Sequence, residues 1–478
     1  MSVYDTYEMT IGVECHVQLA TNTKLFSAAD NDSRFAEPNQ NVSPVDYGLP
    51  GMLPVLNRHA VELAVKAGKA LGSTINLVSS FDRKHYFYPD LPKGYQTTQM
   101  YQPIIGAGVV EVPLDDGTIC KVRIHHAHME EDAGKLTHHG DHSLVDLNRA
   151  GTPLIEIVSE PDIHSAAEAR AYAVELYRRM TYAGVTHGDL YHGNMRFDVN
   201  ISVAPKGSTE LGKRTEIKNL NSFRSVERAA EYEFKRQVDV IESGEAVVQE
   251  TRGWNDDQQI TVSQRSKEDA QDYRYMPDPD IPPIVLTAEE VERIQSEVPM
   301  LPNAYREKWQ SLELDRSVVN SLLDTQQHAQ AVAEVQDAAG DAIAKRVAHW
   351  FASVMADEPS EESGLHQSAV ADLVALATMV DKSEISSTSA KELFVDLLAG
   401  QTDPRALAEQ KNLLQVSDEG AIAAVVDEVM NDPASAASIA DIKAGKDKAI
   451  GYLVGQVMKR SQGKANPALA QKLIRERL

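Results

Sequence analysis

Residues 10–20 read TIGVECHVQLA, and the alternation in this stretch decides what kind of fold the chain takes. At the two-residue period of a strand, Ile11, Val13, Cys15, Val17 and Leu19 fall on one face. Gly12, Glu14, His16 and Gln18 fall on the other. An apolar side therefore supports a carboxylate and an imidazole standing side by side, about 7 Å apart at a rise of roughly 3.3 Å per residue. Glu-x-His on a strand is a starting point for a metal or proton-transfer site. The solvated outer face of an edge strand carries the same pattern, so recurrence has to separate the two.

The pattern does recur. From Met195 to Val203, Met195, Phe197, Val199, Ile201 and Val203 alternate with Arg196, Asp198, Asn200 and Ser202. In RTEIKNLNSF, Arg214, Glu216 and Lys218 share one face. Pairing the two stretches with their polar faces aligned would gather Arg196, Asp198, Asn200, Glu216 and Lys218 into one charged patch. Residues 118–131, TICKVRIHHAHMEE, read as a further strand closing on His128, Glu130, Glu131 and Asp132. Residues 152–160, TPLIEIVSE, embed Glu156 among Leu154, Ile155, Ile157 and Val158. A glutamate in such a run is costly to bury unless something compensates its charge. Between these strands, Asn57, Ser165 with Glu168, and Ser222 mark helix starts. The segment FDRKHYFYPDLPKGYQTTQ, residues 81–99, is aromatic, Pro- and Gly-rich and basic, in the manner of a ligand-holding loop, and Lys84 within it could meet a phosphate or simply be a solvated lysine.

At 478 residues the chain exceeds one hydrophobic core, so two or three domains are expected. Its net charge of −24 argues against general affinity for nucleic acid without excluding a local basic surface. Two cysteines, Cys15 and Cys120, exclude a disulfide framework or a Cys-rich zinc site. With no apolar run long enough to span a bilayer and no secretory leader pattern, the expectation is a cytoplasmic protein without membrane attachment. The prolines of YRYMPDPDIPP close the first unit, and Thr287 with Glu290 opens a region of helical periodicity without strands. From Lys443 onward nine Lys or Arg face only Asp447 and Glu476, a local charge of +7 that leaves −31 on the rest. Lys443, Lys446, Lys448, Lys459, Arg460 and Lys464 are its candidate contacts to a phosphate-bearing partner.

Glu, Asp and His presented from one polar sheet face make a site of mostly hard oxygen donors, which favours Mg2+ and, with it, substrate phosphates. No P-loop and no G-x-G-x-x-G is present. No G-x-S-x-G occurs either, and Cys15 points away from His16, so no nucleophile dyad forms. From the residues alone the reading is a Mg2+-dependent phosphoryl-transfer or ligase-like site with an RNA-binding tail. A zinc or iron hydrolase and a non-catalytic RNA scaffold remain the competing classes.

IGVECHVQL, FDRKHYFYPDLPKGYQ, HMEEDAGK, DLNRAGTPLIEIVSEPD, MRFDVNISV, EIKNLNSF, DYRYMPDPD and GYLVGQVMKRSQGKANP together closely resemble the GatB family. GatB proteins are components of the tRNA-dependent aspartyl/glutamyl amidotransferase GatCAB. The resemblance runs from the N-terminus to the last helix. It implies an α+β fold: a cradle domain over residues 1–290, glutamine-synthetase-like with a mostly antiparallel sheet. An all-α helical domain over 291–404 and a YqeY-like, tRNA-gripping helical tail over 405–478 would follow. It implies ATP and Mg2+ as cofactors, GatA as glutaminase partner, GatC, and a misacylated tRNA whose side-chain carboxylate is phosphorylated and then amidated. Carried over position by position, Glu14, His16, Glu131 and Glu156 match the catalytic and Mg2+ residues, with His16 acting through water or substrate. Lys84 matches a lysine near the nucleotide phosphates, and Asp198, Glu216 and Lys218 fall in similar cofactor-site motifs. The family more often has an aliphatic residue where this chain has Cys15, on the core side.

Overall fold

The computed structural model describes residues 2–266, 273–357, 369–415, 419–444, 446–461 and 465–478. The chain packs as two units, Met1–Pro302 and Asn303–Leu478.

The first unit is built on an eight-stranded sheet. In chain order its strands are β1 (Tyr7–Gln18), β2 (Gly108–Pro113), β3 (Ile119–Glu131), β4 (Pro153–Ser159), β5 (Met195–Pro205), β6 (Thr215–Leu220), β7 (Glu250–Asn255) and β8 (Ile260–Ser266). They lie in the order β8-β7-β6-β5-β1-β4-β3-β2, which makes β1 an inner strand. Every pairing is antiparallel except β6 with β7. The alternation of β1 is realised: Ile11, Val13, Cys15, Val17 and Leu19 are all buried. Three helices cover that side, α1 (Arg58–Ala70), α2 (Ala166–Tyr182) and α3 (Phe223–Glu242). Tyr172, Leu176 and Met180 of α2 and Val226, Ala229 and Val238 of α3 share one core with the strands. The uncovered side of the sheet is polar, which is the division an antiparallel sheet permits.

The helix starts are where the residues place them. Asn57 accepts from the amides of His59 and Ala60, and Ser222 accepts from Ser225. Ser165 caps α2 by accepting from the Glu168 amide, but the Glu168 carboxylate takes the His164 amide at 2.7 Å rather than completing a capping box. Thr287 and Glu290 do form a reciprocal box for α4 (Ala288–Ser296). That helix packs against α1, tied by Lys66–Glu297 at 3.0 Å and Arg58–Glu290 at 3.3 Å. It therefore belongs to the sheet unit. The segment Phe81–Gln99 contributes two short paired strands, Asp82–His85 and Tyr95–Thr98, and Met276–Pro277 adds a third at their edge.

The second unit is helical, and its described residues form no strand longer than an isolated bridge such as Ile385 with Leu414. Its last helices, Glu419–Met430, Ile450–Arg460 and Pro467–Arg477, bury Ile422, Val426, Leu453, Val457 and Ile474 in a common core. Asn466 caps the final helix, with Pro467 in its first turn, where a missing N–H costs nothing.

Candidate functional site

The polar face of β1 is the floor of the site, and the register of its neighbours determines what meets there. Glu14 sits opposite Asp198 of β5, and His16 lies between Arg196 of β5 and Glu156 of β4. One strand further out, His128 of β3 faces Glu156, and Glu216 of β6 faces Asn200 of β5. Side chains directly across neighbouring strands are within contact, so residues far apart in sequence converge without any loop to position them.

Two clusters result. In the first, the His16 Nε2 atom lies 3.6 Å from both Glu130 Oε1 and Glu156 Oε2. His128 Nε2 lies 3.3 Å from Glu156 and 3.8 Å from Glu130. Burial works against charge on Glu156, but the hydrogen bond and charge of His128, then His16 and Lys84, outweigh it and hold the carboxyl well below the usual range. Burial likewise opposes charge on His128, yet Glu130 and Glu156 push it up to about 10. Lys84 is half-buried beside the same carboxylates, with its ammonium 4.8 Å from the centre of the Tyr273 ring. Desolvation disfavours its charge, and Glu130, Tyr275, Glu156 and Tyr273 together more than restore it.

The second cluster joins Glu14, Asp198 and Glu216, whose nearest oxygens all lie within 4.8 Å of one another. Lys218 bridges Asp198 and Glu216 at 3.0 Å each, the Asn200 amide donates to Glu14 at 3.0 Å, and the Thr251 hydroxyl donates to Glu216 at 2.7 Å. The Glu14 carboxyl is raised above its ordinary range, first by burial and then by the charges of Glu156, Glu216 and Asp198. Like charges held together against their own repulsion are what a divalent cation relieves. Of the six side chains whose donor atoms converge in two groups of three, His16, Glu130 and Glu156 and then Glu14, Asp198 and Glu216, five offer oxygen, so the set fits a hard cation such as Mg2+ better than zinc. His16 is the one nitrogen donor.

One expected position lies apart from the others. Glu131 is not in either cluster: its carboxylate is taken by Lys93 and by the Thr97 amide at 2.9 Å, and its backbone carbonyl accepts from Gln96. Alternation along β3 gives the reason. Ala127 and Met129 are buried on the core side, so Glu131 shares their parity, whereas Glu130 shares that of His128 and reaches His16. Glu14, His16, Glu156, Lys84, Asp198, Glu216 and Lys218 do stand together. Beside them, Arg196 donates to Asp132 at 2.8 Å, and Arg149 approaches the same carboxylate at 3.4 Å. Burial would raise the Asp132 carboxyl, but the two guanidiniums hold it low. Neither cysteine offers a thiolate. Cys15 faces the core with its thiol pushed far up by burial, and Cys120 is pushed up to about 11 by the same effect.

Of the basic tail residues, Lys443, Lys446, Lys448, Lys459 and Arg460 are exposed, and Lys464 lies outside the described residues. The +7 is partly cancelled by acids just upstream: Arg460 pairs with Asp432, Lys446 with Asp441 at 3.0 Å, and Arg477 with Asp427 at 2.5 Å. Among the described residues, Lys443, Lys448 and Lys459 make no ion pair. No helix among them is long and apolar enough to cross a membrane.

Residues 9–292 match the family model described as the GatB/GatE catalytic domain, and residues 330–478 match that of a GatB domain. The chain is 46% identical to the GatB component of the aspartyl/glutamyl-tRNA(Asn/Gln) amidotransferase of Alcanivorax borkumensis, over 99% of this chain and 100% of that one. It is 44% identical to the protein of the same name in Persephonella marina, over 99% of each. A third, from Janthinobacterium, is 46% identical, again over 99% of both chains.

Proposed function

We propose the following for this chain, which belongs to the GatB family. Its activity is that of the GatB component of a glutamine-hydrolysing aspartyl/glutamyl-tRNA(Asn/Gln) amidotransferase. The substrate is a misacylated Glu-tRNA(Gln) or Asp-tRNA(Asn), and the product is its amide. The partners are a GatA glutaminase and GatC, and the work is done in the cytoplasm.

A carboxylate is a poor acyl donor to ammonia, because its leaving group would be oxide. Phosphorylation by ATP supplies a leaving group, and the polar sheet face has the residues for that step. His16, Glu130 and Glu156 would hold one divalent cation, and Glu14, Asp198 and Glu216 a second. Such cations supply charge neutralisation for transferring phosphoryl oxygens. Lys84 keeps its charge despite burial and presents it beside the first cluster, while Lys218 does the same between Asp198 and Glu216. Catalysis of this kind is mostly positioning and electrostatic stabilisation, and groups fixed by strand register lose little order in providing it. The chain's own residues offer no thiolate to hydrolyse glutamine, which agrees with ammonia arriving from the partner. The tail's free lysines, Lys443, Lys448 and Lys459, serve as phosphate contacts for the tRNA.

The observation carrying this reading is the convergence of six ligand-type side chains from five strands, flanked by two lysines, on one sheet face. The test uses the co-purified heterotrimer with each misacylated tRNA. Glu14→Gln and Glu156→Gln abolish amidation and tRNA-dependent ATP cleavage while glutamine hydrolysis continues. Normal amide formation in both variants would refute the assignment.

A further inference from the structure

The polar face of β1 continues past the two clusters. Gln18 shares the face of His16, two residues and therefore about 7 Å further along. It stands in the wall of a separate, larger cavity of about 770 Å3. Arg149 lines both this cavity and the one of about 320 Å3 above His16, Glu130 and Asp198, so the two meet at one guanidinium.

Their chemistry differs. The smaller cavity is lined by the groups that suit cations and phosphoryl oxygens. The larger one has a wall of amides, Asn22, Asn31, Asn148 and Asn194. Asn148 and Asn194 each already donate and accept within the protein, whereas the side-chain oxygen of Asn31 is buried without a hydrogen-bond partner. Its formal charges cancel: Asp30, Asp32 and Asp146 stand against Arg34, Lys135 and Arg149, and Arg34 is closed onto Asp32 by bonds of 2.9 and 2.8 Å. On its rim Tyr191 is 95% exposed, edge-on to His192 at 5.1 Å, and His192 is in turn edge-on to an exposed Phe35 at 6.1 Å. The His192 ring is fixed by Asp189 at 2.6 Å. A fully exposed tyrosine held over an amide-lined cavity gains nothing for the fold, but it is a stacking surface for a planar ring.

We propose that this cavity seats the aminoacylated terminal nucleoside of the tRNA, with its acidic side chain extended past Arg149 to the two clusters. The proposal rests on the amidotransferase reading above and adds where the acceptor end lies. Stacking on Tyr191 and hydrogen bonds with the side chains of Asn22 and Asn31 fit an uncharged base and ribose. Of the cavity's three cations, Arg34 is committed to Asp32, and Arg149 to Asp132 and the carbonyls of Ala133 and Gly134, which leaves little to hold a triphosphate and argues against the nucleoside of ATP. The separation of one strand period between Gln18 and His16 suits the reach of an esterified aspartyl or glutamyl arm.

The experiment uses the complete heterotrimer with Tyr191→Ala and Tyr191→Phe. The probes are misacylated tRNA, ATP, and a stable 3′-glutamylamido adenosine that mimics the terminus. Because Tyr191 is exposed, its removal leaves the fold intact. Tyr191→Ala should raise KM for the tRNA, and the inhibition constant of the mimic, roughly ten- to a hundredfold, the value of one base stack. KM for ATP should not move, and Tyr191→Phe should restore both constants because the ring remains. A rise confined to KM for ATP would overturn the proposal in favour of the ATP nucleoside. No change in any constant would overturn it outright. Absence of amidation by the unaltered complex would instead strike the parent reading. Calorimetric binding of the mimic to the full chain, retained or lost in Tyr191→Ala, then decides the cavity independently.

Discussion

Removing one charge from the Glu14 cluster should make the cation-free protein more stable while taking away its response to magnesium. The perturbation is Glu14→Gln, which keeps the shape and the contact with Asn200. In the wild type the carboxylates of Glu14, Asp198 and Glu216 approach within 4.8 Å. At an effective dielectric of about 20, each such repulsion is about 3 kcal/mol. Glu14 takes part in two of them, and the attraction of Lys218, 3.0 Å from both other carboxylates, returns part of that. Partial solvent access weakens all of these, leaving a net relief on the order of 1–2 kcal/mol. For a unit of this size that is roughly 2–3 °C in Tm. The assay is thermal unfolding in EDTA and in millimolar MgCl2. Wild type should gain about 3 kcal/mol from magnesium at a hundred times Kd, and Glu14→Gln should start higher and gain clearly less. Equal gains in the two proteins, or a less stable variant in EDTA, would refute the reasoning.

Three further outcomes follow from particular contacts. Glu130→Gln should stop tRNA-dependent ATP cleavage and reduce the rise in unfolding temperature that magnesium gives over EDTA, because it takes a donor from the His16 cluster. Glu131→Gln should instead lower the unfolding temperature in EDTA itself, because it strips the half-buried Lys93 of its partner; the reverse pattern in the same two assays would return Glu131 to the cluster. In the helical unit, His328 is buried against Phe351 with neither ring nitrogen hydrogen-bonded, and desolvation lowers its pKa to about 4. The unfolded chain therefore binds the proton first: stability is full above about pH 6.5 and falls as the pH drops toward 4, by about 3 kcal/mol in all. His328→Leu should flatten that slope in denaturant titrations across the range, and an unchanged slope would contradict it. Finally, Lys443, Lys448 and Lys459 to Ala together should reduce the salt dependence of tRNA binding by about three counterions, whereas Arg460→Ala should change it little, since Asp432 already holds that charge. Filter binding across salt concentrations separates the two.

Much of the site is legible in the residues because strands write their faces in the sequence. Alternation alone puts Glu14 and His16 together, and it puts Asp198 with Asn200 and Glu216 with Lys218. What alternation cannot give is register, the long-range fact that His16 meets Glu156 and Glu14 meets Asp198. Glu131 and Glu130 show a local signal outweighed by resemblance. The period of β3 already puts Glu130 on the polar face with His128, whereas likeness to the family favours its neighbour in HMEED. Other parts leave no local trace. The pair β7 and β8 lacks clean alternation, yet Thr251 from β7 anchors Glu216. Arg149 lies in a connection before β4, and only the folded chain brings it to Asp132. The tail's positive charge is visible in the sequence. The acids that pair with part of it, Asp427, Asp432 and Asp441, lie just upstream of the basic stretch that begins at Lys443.

The central claim is that carboxylates on this sheet face activate the substrate's own carboxylate by phosphorylation. Its most direct test is isotope transfer in the heterotrimer, using misacylated tRNA labelled with 18O in the side-chain carboxylate. The expected result is one labelled oxygen in the inorganic phosphate for every amide formed, lost in Glu156→Gln and Glu14→Gln while glutamine is still hydrolysed. Amide formation with unlabelled phosphate would contradict it.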